Sequence, residues 1–434
     1  MTTKDGVAAL RSLVGRFLVS LTCNLVGSTP PRVPPHRDCQ LLTVKISIKT
    51  TPFLASRSDC CVGSIIVKPS RPGPGRVIVG AGYRAAIGFG PLIALLLTFL
   101  AQSAAAGSFD HAGLAQRVLE TEIVPAQQEF LANTGVLRSQ VGDVCSGRTK
   151  LADAKLRDAF ARTVASWGRV EVYRFGPIEL EDRRYRVLFW PDPRNVSRRV
   201  LRKLLSQEEE LADWDVRNAS VAAIGLRVLD ALLFSPARQE DLSDGKSATC
   251  KIVGAVSQDL ELIAREMLQG WNSGGSYRPV WLTPGPENSS FVSPSETSFA
   301  LIRSYEMSLQ ALLQQRLPPE NGGKTKWRVL PSSRTSMVLV QANLEALDGL
   351  LDQVGQGPLF APDKRALSVL KMARTELGFA IRAIRGTQNR TVQEIEERAG
   401  AMRRPIESAL KLGVQAISVL SQQSPPSFNA LDGD

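Results

Sequence analysis

Few residues of this chain could do acid–base or metal chemistry. Imidazole comes only from His36 and His111, so His-x-x-x-His pairs, three-histidine zinc sites and most Ser/His/Asp arrangements are hard to assemble. Of six cysteines, Cys23, Cys39, Cys60 and Cys61 lie upstream and Cys145 and Cys250 downstream, with no C-x-x-C spacing to hold a metal through thiolates. The downstream two read either as one disulfide or as two separate buried thiols. A disulfide there would close a loop of about 100 residues and remove on the order of 4 to 5 kcal/mol of unfolded-state freedom. Glu208, Glu209, Glu210, Asp213 and Asp215 form an acidic run. Its readings are oxygen ligation of a hard cation or, more simply, a solvated helix face.

Arginine and aspartate supply the other candidates. Arg227 and Asp230 are three residues apart and share a helix face, as an intrahelical ion pair worth a few tenths of a kcal/mol or as an anion anchor whose fork Asp230 fixes. Glu171, Arg174 and Asp192 flank aromatic segments containing Trp167, Phe175, Phe189 and Trp190. They read as a polar site, or as the edge of loop packing in which those rings bury large areas. Pro191-Asp192-Pro193 is a turn whose aspartate can cap a helix starting near Asn195. Arg183, Arg184, Arg198, Arg199, Arg202 and Lys203 read as solvated surface, with contact to anionic lipid or the acidic run as an option.

Positioning these groups falls to helices. From Ser108 onward, stretches of Ala, Leu, Arg, Glu and Gln predict an all-α body, with helices near 109–131, 150–175, 196–215, 219–234, 247–271, 294–316 and 334–354. Leu367, Leu370, Leu377, Ile381 and Ile384 step at helical spacing up to Gly386. Thr391-Val-Gln-Glu394 is a capping box opening a second stripe, Val392 to Leu410, in which Pro405 is expected to kink the helix. Pro/Gly/Ser/Asn-rich stretches at 273–294 and 317–333 divide the body near residue 290.

The 434 residues carry a formal charge of +11, yet 1–106 hold 12 Lys/Arg against 3 Asp/Glu and 107–434 hold 41 against 39. A near-neutral body gives no electrostatic case for nucleic acid. Arg76 and Arg84, the apolar run Pro91–Leu100 and Ala104-x-Ala106 read as a signal peptide over 79–106, with a membrane anchor as the alternative. Residues 1–78 read as an unstructured or mis-assigned extension, with Val77 or Val79 as a candidate start. Val77-Ile-Val-Gly80-Ala-Gly82 opens like a dinucleotide motif, but no acidic residue follows before Asp110 to hold a ribose. Sequons at Asn195, Asn218, Asn288 and Asn389 matter only in a eukaryotic secretory pathway.

Five segments carry a specific resemblance. They are Ser166-Trp-Gly-Arg-Val-Glu-Val-Tyr-Arg-Phe-Gly-Pro177, Arg186-Val-Leu-Phe-Trp-Pro-Asp192, Ala223-Ile-Gly-Leu-Arg-Val-Leu-Asp230, Trp327-Arg328 leading through Arg334-Thr-Ser336 to Ala342-Asn-Leu-Glu345, and Phe428–Asp434. In order and spacing, from about Ser108 to Asp434, the chain resembles the imelysin family of bacterial envelope proteins, catalogued as M75-type peptidases. The resemblance implies two side-by-side four-helix bundles, here 107–290 and 291–434, with a ligand-binding cleft between them. It also implies residence in the periplasm or cell envelope and an association with iron uptake.

Family members are known for a G-x-H-x-x-E motif, and the matching positions here are Gly225, Arg227 and Asp230. Guanidinium has no lone pair for a cation and repels one nearby. The expectation is therefore a protein with no catalytic residues, no resident metal and no cofactor, iron or another divalent metal entering by family analogy alone. It would bind an unknown ligand through Glu171, Arg174, Asp192, Arg227, Asp230 and Arg334, and would meet envelope iron-uptake components, with peripheral membrane association as an option. A metallopeptidase using carboxylates is the alternative.

Overall fold

The computed structural model describes residues 109–149, 154–207, 211, 214–238, 241–320, 326–356 and 364–421. The expected extension, signal peptide and Phe428–Asp434 motif, and Glu208–Glu210 with Asp213 of the acidic run, lie outside these residues. Among the described residues the regular structure is helical throughout, as the sequence predicts, and no strand forms. None of the described helices is long and apolar enough to cross a membrane.

The first helix, α1 (His111–Val118), passes through a π-helical turn at Leu119–Ile123 into α2 (Val124–Cys145). Pro125 lies just beyond that turn and has no N–H to return to the carbonyl four residues earlier, which is where a widened turn costs least. The helix outruns the expected end at 131 because tertiary burial overrides weak local propensity. Thr134, Leu137 and Val141 are buried, and the Thr134 hydroxyl donates to the Leu131 carbonyl at 2.8 Å. After α3 (Ala154–Val170) come the short α4 (Arg183–Val187), α5 (Val196–Ser206) and α6 (Gly225–Leu233), then the long α7 (Ala248–Trp271) and the short α8 (Arg278–Leu282). Next, α9 (Pro294–Ala311) ends in a second π-helical turn at Leu312–Arg316, just before Leu317-Pro318-Pro319 forbids further helix. The C-terminal helices are α10 (Ser336–Gly355), α11 (Lys364–Arg385), α12 (Val392–Glu397) and α13 (Ala399–Ser421). Pro405 sits inside α13, and the interruption comes earlier, at Arg398 between α12 and α13.

Two clusters of buried apolar side chains organise the packing. The first takes α2, α3, α6 and α7, with Phe130, Phe160, Trp167, Leu229 and Met267 at its heart. The second takes α1, α9, α10, α11 and α13, with Leu114, Tyr305, Leu347, Leu377 and Ile417. Cluster membership crosses residue 290 in both directions: Leu114–Ile123 belong to the second cluster, and Val329, Leu330 and Leu339 to the first. Helix α10 is the shared wall, contributing Leu339 to one side and Val340, Leu344 and Leu347 to the other. It crosses α3 closely because Gly168 has no side chain; a Cβ there would lie 2.8 Å from that of Ala342. The Cα atoms of Cys145 and Cys250 are 5.7 Å apart with their sulfurs within bonding distance, linking the end of α2 to the start of α7.

The capping box expected at Thr391 is formed: Glu394 N–H donates to the threonine hydroxyl, and Thr391 N–H to the Glu394 carboxylate. Thr391→Ala removes an acceptor from an otherwise open helix end and is expected to cost about 1 kcal/mol, read as a lower denaturant midpoint at unchanged slope.

Candidate functional site

The six candidate binding residues fall into separate settings. Glu171 lies just past the end of α3 and is buried. Arg316, at the end of the π-helical turn after α9, donates two hydrogen bonds to its carboxylate, Nη1 at 2.5 Å and Nη2 at 2.9 Å. Asn343 of α10 completes the group. Its Nδ2 donates to Glu171 at 3.0 Å and to the Gly168 carbonyl at 2.7 Å, while its Oδ1 accepts from Arg316 at 2.9 Å. Burial alone would push the Glu171 carboxyl up, but the Arg316 charge and the hydrogen bonds from Arg316 and Asn343 hold it below the usual glutamate range.

The motif residues sit on α6. Gly225 has φ +79°, and a Cβ there would collide with the carbonyl oxygens of Arg186 and Val187. Only glycine lets α6 start against the end of α4, which is why the helix begins here and not at the expected residue 219. Arg227 and Asp230 share a face as expected but form no ion pair with each other. The Asp230 carboxylate accepts from the backbone N–H groups of Ser332 (3.0 Å) and Ser333 (2.8 Å), so it anchors the segment leading into α10. Burial raises its carboxyl despite these donors. The guanidinium of Arg227 lies over the Trp190 ring, 4.7 Å from its centroid, and its Nη2 is 4.0 Å from Asp192. Arg227 Nη1 is buried with no hydrogen-bond partner. Burial lowers the affinity of this guanidinium for its proton, partly offset by Asp192 and Asp230.

Asp192 is buried and caps α5, its two oxygens accepting from the N–H groups of Val196 (2.7 Å) and Ser197 (3.1 Å). Trp190 donates through Nε1 to the Gln315 carbonyl at 3.0 Å. Together with Lys326 these residues line a cavity of about 320 Å³. Arg334 is exposed, at φ +64°, and forms no ion pair among the described residues. Arg174 borders a different cavity, facing α9. Trp167, Phe175 and Trp190 are buried and Phe189 half-buried.

Two corrections concern the basic residues. Arg183 is not solvated: it is buried, donates to the Pro177 carbonyl at 3.2 Å, and lies 3.3 Å from both Glu181 and Glu266. Arg184 is only half-exposed, with Nε 3.2 Å from Glu179. Arg183 is committed to the fold and Arg184 pairs with Glu179, whereas Arg198, Arg199, Arg202 and Lys203 are exposed as expected. Sequence reasoning missed Arg316 as the partner of Glu171. The available signal was an arginine ending a helix otherwise rich in apolar side chains, together with an asparagine in the middle of apolar α10, where its side chain must find buried partners.

Among the described residues no three His, Cys, Asp or Glu side chains gather at metal-binding distance. The described residues define an all-helical protein with Arg227 half-buried against Trp190, and comparison defines the family. The chain belongs to the imelysin family, whose model matches residues 123–405. The fold is similar to an imelysin-like protein from Psychrobacter arcticum 273-4 (14% identity, TM-score 0.57, 74% of this chain and 99% of that one). It is also similar to a "putative iron-regulated protein A precursor" from Parabacteroides distasonis ATCC 8503 (14% identity, TM-score 0.53, 73% and 97%). No curated protein matches.

Two outcomes follow. Glu171→Gln leaves Arg316 buried without its counter-charge and is expected to cost about 3–5 kcal/mol. Because the native carboxyl titrates below its ordinary value of 4.5, that contribution is complete above this pH and is lost as pH falls. The stability gap between parent and variant, measured by denaturant titration across pH, is therefore expected to be widest near neutrality and to narrow in acid. Gly225→Ala must hold a side chain at positive φ against two carbonyls and is expected to lose at least about 1–3 kcal/mol by the same measurement.

Proposed function

We propose that this protein is exported to the cell envelope and binds a ligand or partner without cleaving it, in the service of iron acquisition. The observation that carries the reading is Arg227. At the position where the family's motif holds histidine, this chain has a permanent cation laid on Trp190 beside Asp192, while Asp230, in the glutamate's place, has both oxygens occupied by backbone N–H groups. These residues do not fit a divalent cation. Guanidinium offers it no lone pair, and the Asp230 oxygens are oriented by the Ser332 and Ser333 N–H groups toward that segment.

Export is supported by the leader-like run before Ser108 and by Cys145 and Cys250, whose spacing suits a disulfide that an oxidising compartment would preserve. The link to iron rests on the family and on the similar fold of the Parabacteroides protein named as iron-regulated. Asp192 and Trp190 serve the fold and also line the cavity beside Arg227, giving a binding role somewhere to act.

The test uses the mature chain purified from the envelope fraction, with metal analysis and a peptidase assay with and without chelator. The expected result is recovery in that fraction, no stoichiometric transition metal and no chelator-sensitive cleavage. A stoichiometric metal with cleavage abolished by chelator would overturn the reading in favour of a metallopeptidase.

A further inference from the structure

We propose that the cavity entered by Arg174 is a binding site for a small organic anion, one carboxylate or phosphate head group on an apolar body. Arg174 follows the end of α3, and its backbone N–H is fixed by the Ser304 hydroxyl of α9 at 3.1 Å. Its side chain borders a cavity of about 490 Å³ between the segment after α3 and the face of α9, a size usual for small-molecule sites. Its Nε is buried without a partner, and its guanidinium makes no hydrogen bond or ion pair among the described residues.

The neighbouring carboxylates are already engaged. Glu171 is taken up by Arg316, Glu179 lies 3.2 Å from Arg184, and Glu296 accepts from the Val292 N–H at 2.7 Å. Three arginines, at 174, 184 and 303, and two glutamates, at 179 and 296, line the space. The cavity lining thus carries one more positive than negative charge, and the Arg174 Nε has no hydrogen-bond partner among the described residues. Burial, reinforced by repulsion from Arg184 and Arg316, lowers the Arg174 pKa to about 10, which keeps it charged at neutral pH.

A buried guanidinium Nε without an acceptor is unfavourable, and the planar fork matches the two oxygens of a carboxylate or phosphate. The rest of the wall selects the remainder of the ligand: Phe291, Phe299 and Met307 offer apolar surface, and the Ser304 hydroxyl can donate to a head group. None of Arg227, Asp192 or Trp190 takes part. The assignment deepens the binding reading by naming a ligand class but fails separately from it, since metal content and peptidase activity do not depend on this cavity.

Calorimetric titration of the mature chain with phenyl phosphate, benzoate and inorganic phosphate, at constant ionic strength against chloride, tests it. The expected result is saturable binding of at least one aromatic anion, tighter than inorganic phosphate, with the two head groups distinguished by which arm responds. Arg174→Gln is expected to weaken it at least tenfold while melting no lower than the parent, because the guanidinium it removes forms no ion pair among the described residues. Arg174→Lys retains measurable binding, and Ala300→Phe, which fills the cavity without touching the charge, abolishes it. Equal affinity in the parent and either Arg174→Gln or Ala300→Phe, or no saturation of the parent beyond the chloride control, would overturn the proposal.

Discussion

Glu171 and Arg316 hold each other in the interior, and neither charge could stay there alone. The desolvation of two ions is tolerable only when geometry and additional hydrogen bonds complete the match, and Asn343 supplies the completion by bonding to both partners and to the Gly168 carbonyl. Three elements meet at this point: the end of α3, the π-helical turn after α9 and the middle of α10. Because α10 is the wall shared by the two apolar clusters, the trio fixes where one core stops and the other begins. The close approach of α3 and α10 at Gly168 is part of the same constraint, since any side chain there would drive Asn343 out of reach.

Both cavities lie beside this junction. Gln314 and Gln315, immediately before Arg316, line the cavity next to Trp190 and Asp192, while Arg303, Ser304 and Met307, earlier on α9, line the one next to Arg174. One helix therefore presents polar groups to two pockets and ends in the arginine that neutralises Glu171. With Glu171 hydrogen-bonded to Arg316, Arg174 feels the Glu171 charge from a distance but forms no ion pair with it. Around Arg227 the logic differs: Asp192 caps α5 and Asp230 holds the Ser332–Ser333 segment, so the guanidinium keeps only a long contact to Asp192 and lies on the face of Trp190.

Much of the fold was legible along the chain because helices are local. Apolar spacing at three and four residues announced α11 and the stripe through α12 and α13, with Gly386 marking the end of α11 and the Thr391–Glu394 box the start of α12. Asp192 as a cap could be read for the same reason. The misreadings were of another kind. Arg183 looked like surface because charge is normally solvated, but Glu266, far along the chain, together with nearby Glu181 and the Pro177 carbonyl makes its burial tolerable. Arg227 and Asp230 looked like partners because they are three apart, yet each found a better one from a distant segment.

What residue types and local spacing determined by themselves was the all-α class, most helix positions and the chemical poverty of the motif: a guanidinium cannot act as a metal ligand whatever surrounds it. What tertiary structure decided was the partner of the buried charges that pair across the chain. Glu171 meets Arg316 across 145 residues, and Asp230 meets Ser332 across 102. Helical periodicity can say which face of a helix is buried, but the pairing of charges depends on which distant elements close over that face, and no local pattern encodes it.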